Sequence, residues 1–92
     1  MSPRFLKNKD TKGYVFSIYS YDCRERPHVH VKKGDRVGKF WIASDNPDAP
    51  EFELFDPGDF SNKQLRQIAR IIESNLDQLR QEWDEFCSRY IS

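Results

Sequence analysis

Both histidines of the chain fall within one pentapeptide, Pro27-His28-Val29-His30-Val31. In extended backbone, successive side chains alternate between faces, so residues two apart share one. His28, His30 and Lys32 therefore project together, while Val29 and Val31 project to the opposite face, where a core would take them. Two imidazoles and an ammonium make a titratable, cationic strip. Imidazoles that titrate near neutral pH can serve as base and acid in RNA transesterification or another phosphoryl transfer, with Lys32 or Arg26 stabilising charge. On that reading His28 and His30 are the candidate catalytic pair of a metal-independent ribonuclease. The same strand face, flanked by Arg24 and Arg26 and by Tyr19, Tyr21 or Trp41, can instead hold phosphates and stack bases, or meet an acidic protein surface. The structural alternative is a solvated sheet face whose histidines hydrogen-bond locally. What lies against the two imidazoles separates these accounts.

Metal binding requires more. Two histidines at i and i+2 can reach one ion, but a site needs a third ligand. Asp22, Cys23, Glu25 and Asp35 are nearby, and spacing alone places none of them. Arg24, Arg26, Lys32 and Lys33 would oppose a dication. The sequence therefore leads us to expect no metal and no other cofactor.

The elements that must position this strip follow from composition and punctuation. Ninety-two residues suit a single domain, 1–92, with one core. The first thirteen residues are polar and basic and read as a loose arm. Tyr14 to Tyr21 is aromatic and β-branched, the composition of a strand. Asp22 to Pro27 is a polar connection, and His28 to Lys33 is a second strand. Gly34-Asp35 supplies a tight turn into a third, Arg36 to Ala43. Residues 14–43 thus form an antiparallel meander. Residues 44–60 hold three prolines and most of the acidic excess and read as a loop, with Phe52 to Phe55 as a short fourth strand. Ser61 is a suitable N-cap, and Gln64 completes a capping box.

From there Leu65, Ile68, Ile72, Leu76, Leu79, Trp83, Phe86 and Tyr90 recur at spacings of three and four, an apolar helical stripe over 61–90. Run as one helix, the segment would reach roughly 45 Å and overhang so small a domain. A break near Ser74-Asn75, a kink or a partner subunit is the expected resolution. The predicted architecture is α+β: a small antiparallel sheet of three to four strands packed on a long or kinked C-terminal helical segment. A homo-oligomer joined through that segment is one consequence.

Charge is balanced overall but unevenly distributed. Met1 to Ser44 carry ten Lys/Arg against four Asp/Glu, residues 45–60 carry six acidic residues and no basic ones, and the rest cancels. The basic half could face nucleic acid, or the acidic segment could fold back on it. No apolar run has the length of a membrane span or a signal peptide, so a cytoplasmic protein is expected. Cys23 and Cys87, without metal-type spacing, are then expected to be reduced.

Several stretches taken in order resemble a known group. These are the Pro27 to Val31 segment, Gly38-Lys39-Phe40-Trp41, Phe52-Glu53-Leu54, Phe60-Ser61, and a late Trp83 with Phe86. Over Tyr14 to Tyr90 the chain is similar to the small prokaryotic proteins grouped as domain of unknown function 4160. The resemblance implies no established activity and assigns no residue a role. Members are often encoded beside a second small protein, and such pairs have been suggested to be toxin–antitoxin modules. The expectation is a component of that kind, acting through a small protein partner and through RNA, with the histidine strand as the place to look.

Overall fold

The computed structural model describes residues 4–7 and 9–89. Five strands, β1 (Arg4–Phe5), β2 (Val15–Ser17), β3 (His28–Lys33), β4 (Arg36–Trp41) and β5 (Glu53–Asp56), form one antiparallel sheet in sequence order. Two helices follow, α1 (Asn62–Ser74) and α2 (Leu76–Cys87). The α+β class matches expectation, with a wider sheet. The extra strand comes from the lead-in read as a loose arm. Phe5 pairs with Phe16 and is buried with Leu6, whose backbone N–H donates to Glu82 of α2. Two apolar residues in a polar stretch thus anchor the chain end. Burial of large side chains, which scales with area, outweighs the polar composition around them.

Pairing register builds the two sheet faces. Phe16 lies opposite Val31, and Val29 opposite Phe40. These rows, with Ile18 and Ile42, are buried against Ile68, Ile72, Leu79 and Trp83 of the helices. The other face carries Ser17, His30 and Lys39 in one row and His28 and Trp41 in the next. A bulge between Lys39 and Phe40 sets Leu54 opposite Phe40 and Asp56 opposite Lys39, leaving Phe55 as the extra residue. Its ring stacks on Trp41 at a centroid distance of 3.9 Å. Phe55 shares the outer face with Glu53 by strand alternation, and the bulge leaves it without a cross-strand partner of its own.

The helical stripe is divided at Asn75. Its backbone leaves helical geometry at φ −130° and ψ 20°, and its N–H donates to the Ile72 carbonyl. Its side-chain amide donates to the Ile71 carbonyl at 2.8 Å, while its own carbonyl accepts from Leu79. An asparagine that satisfies the end of one helix and starts the next turns one long stripe into two short ones. Both halves then reach the same sheet. Leu76, Leu79 and Trp83 are buried, and Leu65 and Phe86 pack partly buried against the same core. Tyr90 lies outside the described residues. Ser61 and Gln64 form the expected capping box.

Between β2 and β3 the expected strand end and polar connection are replaced by a 3₁₀-helix, Ser20–Arg24. It brings Cys23 against the end of α2, where Cys23 and Cys87 form a disulfide across 64 residues. Reduced thiols, expected from the compartment, are therefore corrected. Compartment arguments carry no geometry, and the fold brings these two Cα atoms to 5.4 Å, inside the normal disulfide range. No helix among the described residues is long and apolar enough to cross a membrane.

A loop of this size removes roughly 4 kcal/mol of unfolded-chain entropy in the simplest account. Cys23→Ser/Cys87→Ser is accordingly expected to lower stability by about 3 kcal/mol. Urea titration of the oxidised parent and the double variant measures the difference.

Candidate functional site

The 3₁₀-helix carries Asp22 onto the outer face, over the two imidazoles. Asp22 and His28 are buried at 2% and 1% exposure, and His30 is partly buried. One carboxylate oxygen of Asp22 accepts from the Tyr19 backbone N–H and from His30 Nε2, each at 2.8 Å. The other lies 3.4 Å from His28 Nε2. On its far side the His28 ring donates from Nδ1 to the Arg26 carbonyl at 2.8 Å, because a carbonyl can only accept. That bond fixes the tautomer and aims Nε2 at the carboxylate. Burial pushes the His30 imidazole below its ordinary pKa, against the opposing pull of Asp22. The period-two pattern brought the histidines together, but what organises them is Asp22, one unplaced candidate among four.

The ring systems are continuous. Tyr21 stacks on Tyr19 with an interplanar angle of 2°, and Tyr19 meets His30 edge-on at 5.0 Å. His30 contacts His28 at 5.3 Å, His28 contacts Trp41 at 5.4 Å, and Trp41 stacks on Phe55. Trp83 reaches His28 from α2 at 5.8 Å. Six rings thus cross the sheet from Tyr21 to Phe55. Tyr21 is the most exposed at 66%, and Tyr19 and Phe55 are also open to solvent.

The expected cations separate. Arg26 is drawn inward: its guanidinium donates to the Ala43 carbonyl, pairs with Glu53 at 3.0 Å and lies over the Trp41 ring at 4.7 Å. This is one point at which the acidic segment does fold back onto the basic half. Lys33 projects to the other side, over the Tyr14 ring. Arg24 and Lys32 are exposed, and among the described residues neither forms an ion pair. Lys39, not singled out by the sequence, places its ammonium over Phe55 at 5.4 Å. Phe55 was also missed, although alternation within the short Phe52 to Phe55 run places it on the same face as Glu53 and so beside Trp41. Arg4, Ser17, Tyr19, His30, Lys32 and Val37 border a hollow on this face.

A family profile, Domain of unknown function (DUF4160), matches residues 13–84. The chain belongs to that family. The matched stretch contains Asp22, both histidines, Trp41 and Phe55 together with Cys23, and it stops short of Cys87. No curated protein and no solved structure matches the chain.

The geometry makes Asp22 structural as well as chemical. Removing it leaves a buried imidazole without its facing carboxylate and a backbone N–H without its acceptor. Loss of one member of a buried hydrogen-bonded charged group typically costs several kcal/mol. Asp22→Ala is expected to cost about 3 kcal/mol, measured by urea denaturation. His30→Ala removes one of that carboxylate's two hydrogen-bond donors but leaves the Tyr19 N–H in place, and is expected to cost less, about 1–2 kcal/mol.

Proposed function

We propose that the outer sheet face binds single-stranded RNA by base stacking, and that the protein acts in this way as one component of a toxin–antitoxin-type pair. The row of rings from Tyr21 to Phe55 carries the reading. Exposed aromatic faces accept any base, and each stacked base contributes roughly 1–3 kcal/mol. Arg24, Lys32 and Lys39 supply cations along the row, where a phosphate backbone would run. The two-protein part of the reading comes from the family's suggested pairing with a second small protein. For that partner we favour the face that exposes Tyr19, Tyr21, Val37 and Phe55.

Cleavage by His28 and His30 as a paired acid and base is less well supported. Such a pair must reach the substrate from both sides of the scissile phosphate. Here one imidazole is buried and both aim at the same carboxylate. Binding without cleavage is the simpler reading of this face.

Fluorescence anisotropy with a labelled single-stranded RNA of about a dozen nucleotides, in the presence of a chelator, tests the binding. The expected result is a micromolar complex that weakens about tenfold between 50 and 200 mM salt. Tyr21→Ala or Phe55→Ala should each weaken it by about tenfold. No binding at low salt, or affinity unchanged in both variants, refutes the assignment. Expression alone is expected to slow growth, with relief by the neighbouring gene's product. Unaltered growth removes the toxin–antitoxin part.

A further inference from the structure

We propose that Asp22, His28 and His30 form a binding site for one divalent transition-metal ion, with zinc the closest match to the ligand set. One ligand atom from each residue lies within 4.8 Å of the other two. A tetrahedral ion with bonds of roughly 2.0–2.1 Å separates its ligands by about 3.3–3.5 Å. The separation of His28 Nε2 from one Asp22 carboxylate oxygen, 3.4 Å, already has that value, and His30 Nε2, which lies 2.8 Å from the other oxygen, is close enough to swing onto the same ion. Two neutral imidazoles and a carboxylate suit zinc and its neighbours, whereas magnesium and calcium favour all-oxygen sets.

The surroundings have the form of an outer shell. Metal-bound histidines characteristically donate their second ring N–H to a backbone carbonyl or carboxylate, which fixes the tautomer. His28 does so to Arg26, leaving its Nε2 lone pair directed at a carboxylate in a nearly solvent-free position. Two acceptors face each other there, and either a proton or a cation must lie between them. The Tyr19 backbone N–H holds the carboxylate in place from its other oxygen. His30 would bind through Nε2 with its proton on Nδ1.

The electrostatic objection raised by the sequence is weaker in the fold. Arg26 is committed to Glu53, the Ala43 carbonyl and the Trp41 ring, and Lys33 to the Tyr14 ring on the other side. Three protein ligands leave a coordination position. His30, the most exposed of the three, borders the hollow lined by Ser17, Tyr19 and Lys32, so that position would open toward solvent.

The test is a Zn²⁺ titration of chelator-treated, disulfide-intact protein by calorimetry, repeated with His30→Ala and Asp22→Asn. One equivalent is expected to bind, with affinity reduced at least about 100-fold in each variant and His30→Ala still cooperatively folded in the absence of metal. Co²⁺ should give visible d–d bands without a near-ultraviolet thiolate charge-transfer band. Three results overturn the site: no stoichiometric binding, affinity unchanged in both variants, or a thiolate band that assigns the ion to cysteine. If Asp22→Asn fails to fold, the His30→Ala affinity decides. Because RNA binding is measured in chelator, failure of either proposal leaves the other standing.

Discussion

The buried carboxylate of Asp22 is the constraint around which this side of the molecule is organised. It accepts from a backbone N–H at the start of its own 3₁₀-helix and from one imidazole, and it faces a second. A carboxylate nearly free of solvent is tolerated only where such partners replace water. The requirement runs both ways. The 3₁₀-helix must lie over β3 for Asp22 to be satisfied, and β3 must present both histidines outward for the helix to have somewhere to dock. The valines that alternate with them are fixed inward by the same register. The hydrophobic core and the polar site are therefore two faces of one register choice.

The second constraint acts from the helices. The disulfide joins the residue after Asp22 to the last residue of α2, and Arg80 of α2 donates to the Ile42 carbonyl just past β4 and to the Glu51 carbonyl just before β5. These tethers reach around the end of the sheet and hold α2 beside the 3₁₀-helix. Trp83 can meet His28 only because α2 lies there. An uninterrupted helix would have carried that segment past the sheet. The break at Asn75 is thus a condition for the site as well as for the core.

Much of this was legible in the chain. Period-two alternation identified the face of β3, the Gly34-Asp35 turn fixed the β3–β4 hairpin, and the Ser61-Gln64 pattern located the start of α1. Other parts were not legible, for physical reasons. Asp22 sits in a run of charged residues where every position looks like loop, and only the docking of a 3₁₀-helix distinguishes it from Glu25 or Asp35. Phe5 and Leu6 form too short an apolar run to read as a strand, and their burial depends on contacts distant in sequence. The role of Phe55 depends on which strand its short run pairs with, since only the pairing with β4 brings its ring onto Trp41. Arg26 and Lys33, counted as part of one basic patch, are drawn apart by an ion pair and two rings.

His30 connects the two parts of the outer face. It touches Tyr19 on the exposed side and Asp22 on the buried side. Its Nε2 is the contact that ties the ring to the carboxylate, so the position of Asp22 sets the position of the ring. Tyr19 packs edge-on against that ring, and Tyr21 stacks on Tyr19. Edge-to-face contacts are geometrically selective, with the positive ring edge set against the negative face. The orientation of the most exposed aromatic pair is thereby tied to the position of the buried carboxylate through one imidazole. Stacking of the kind proposed needs platforms held at fixed angles, and this arrangement holds Tyr19 and Tyr21 from beneath.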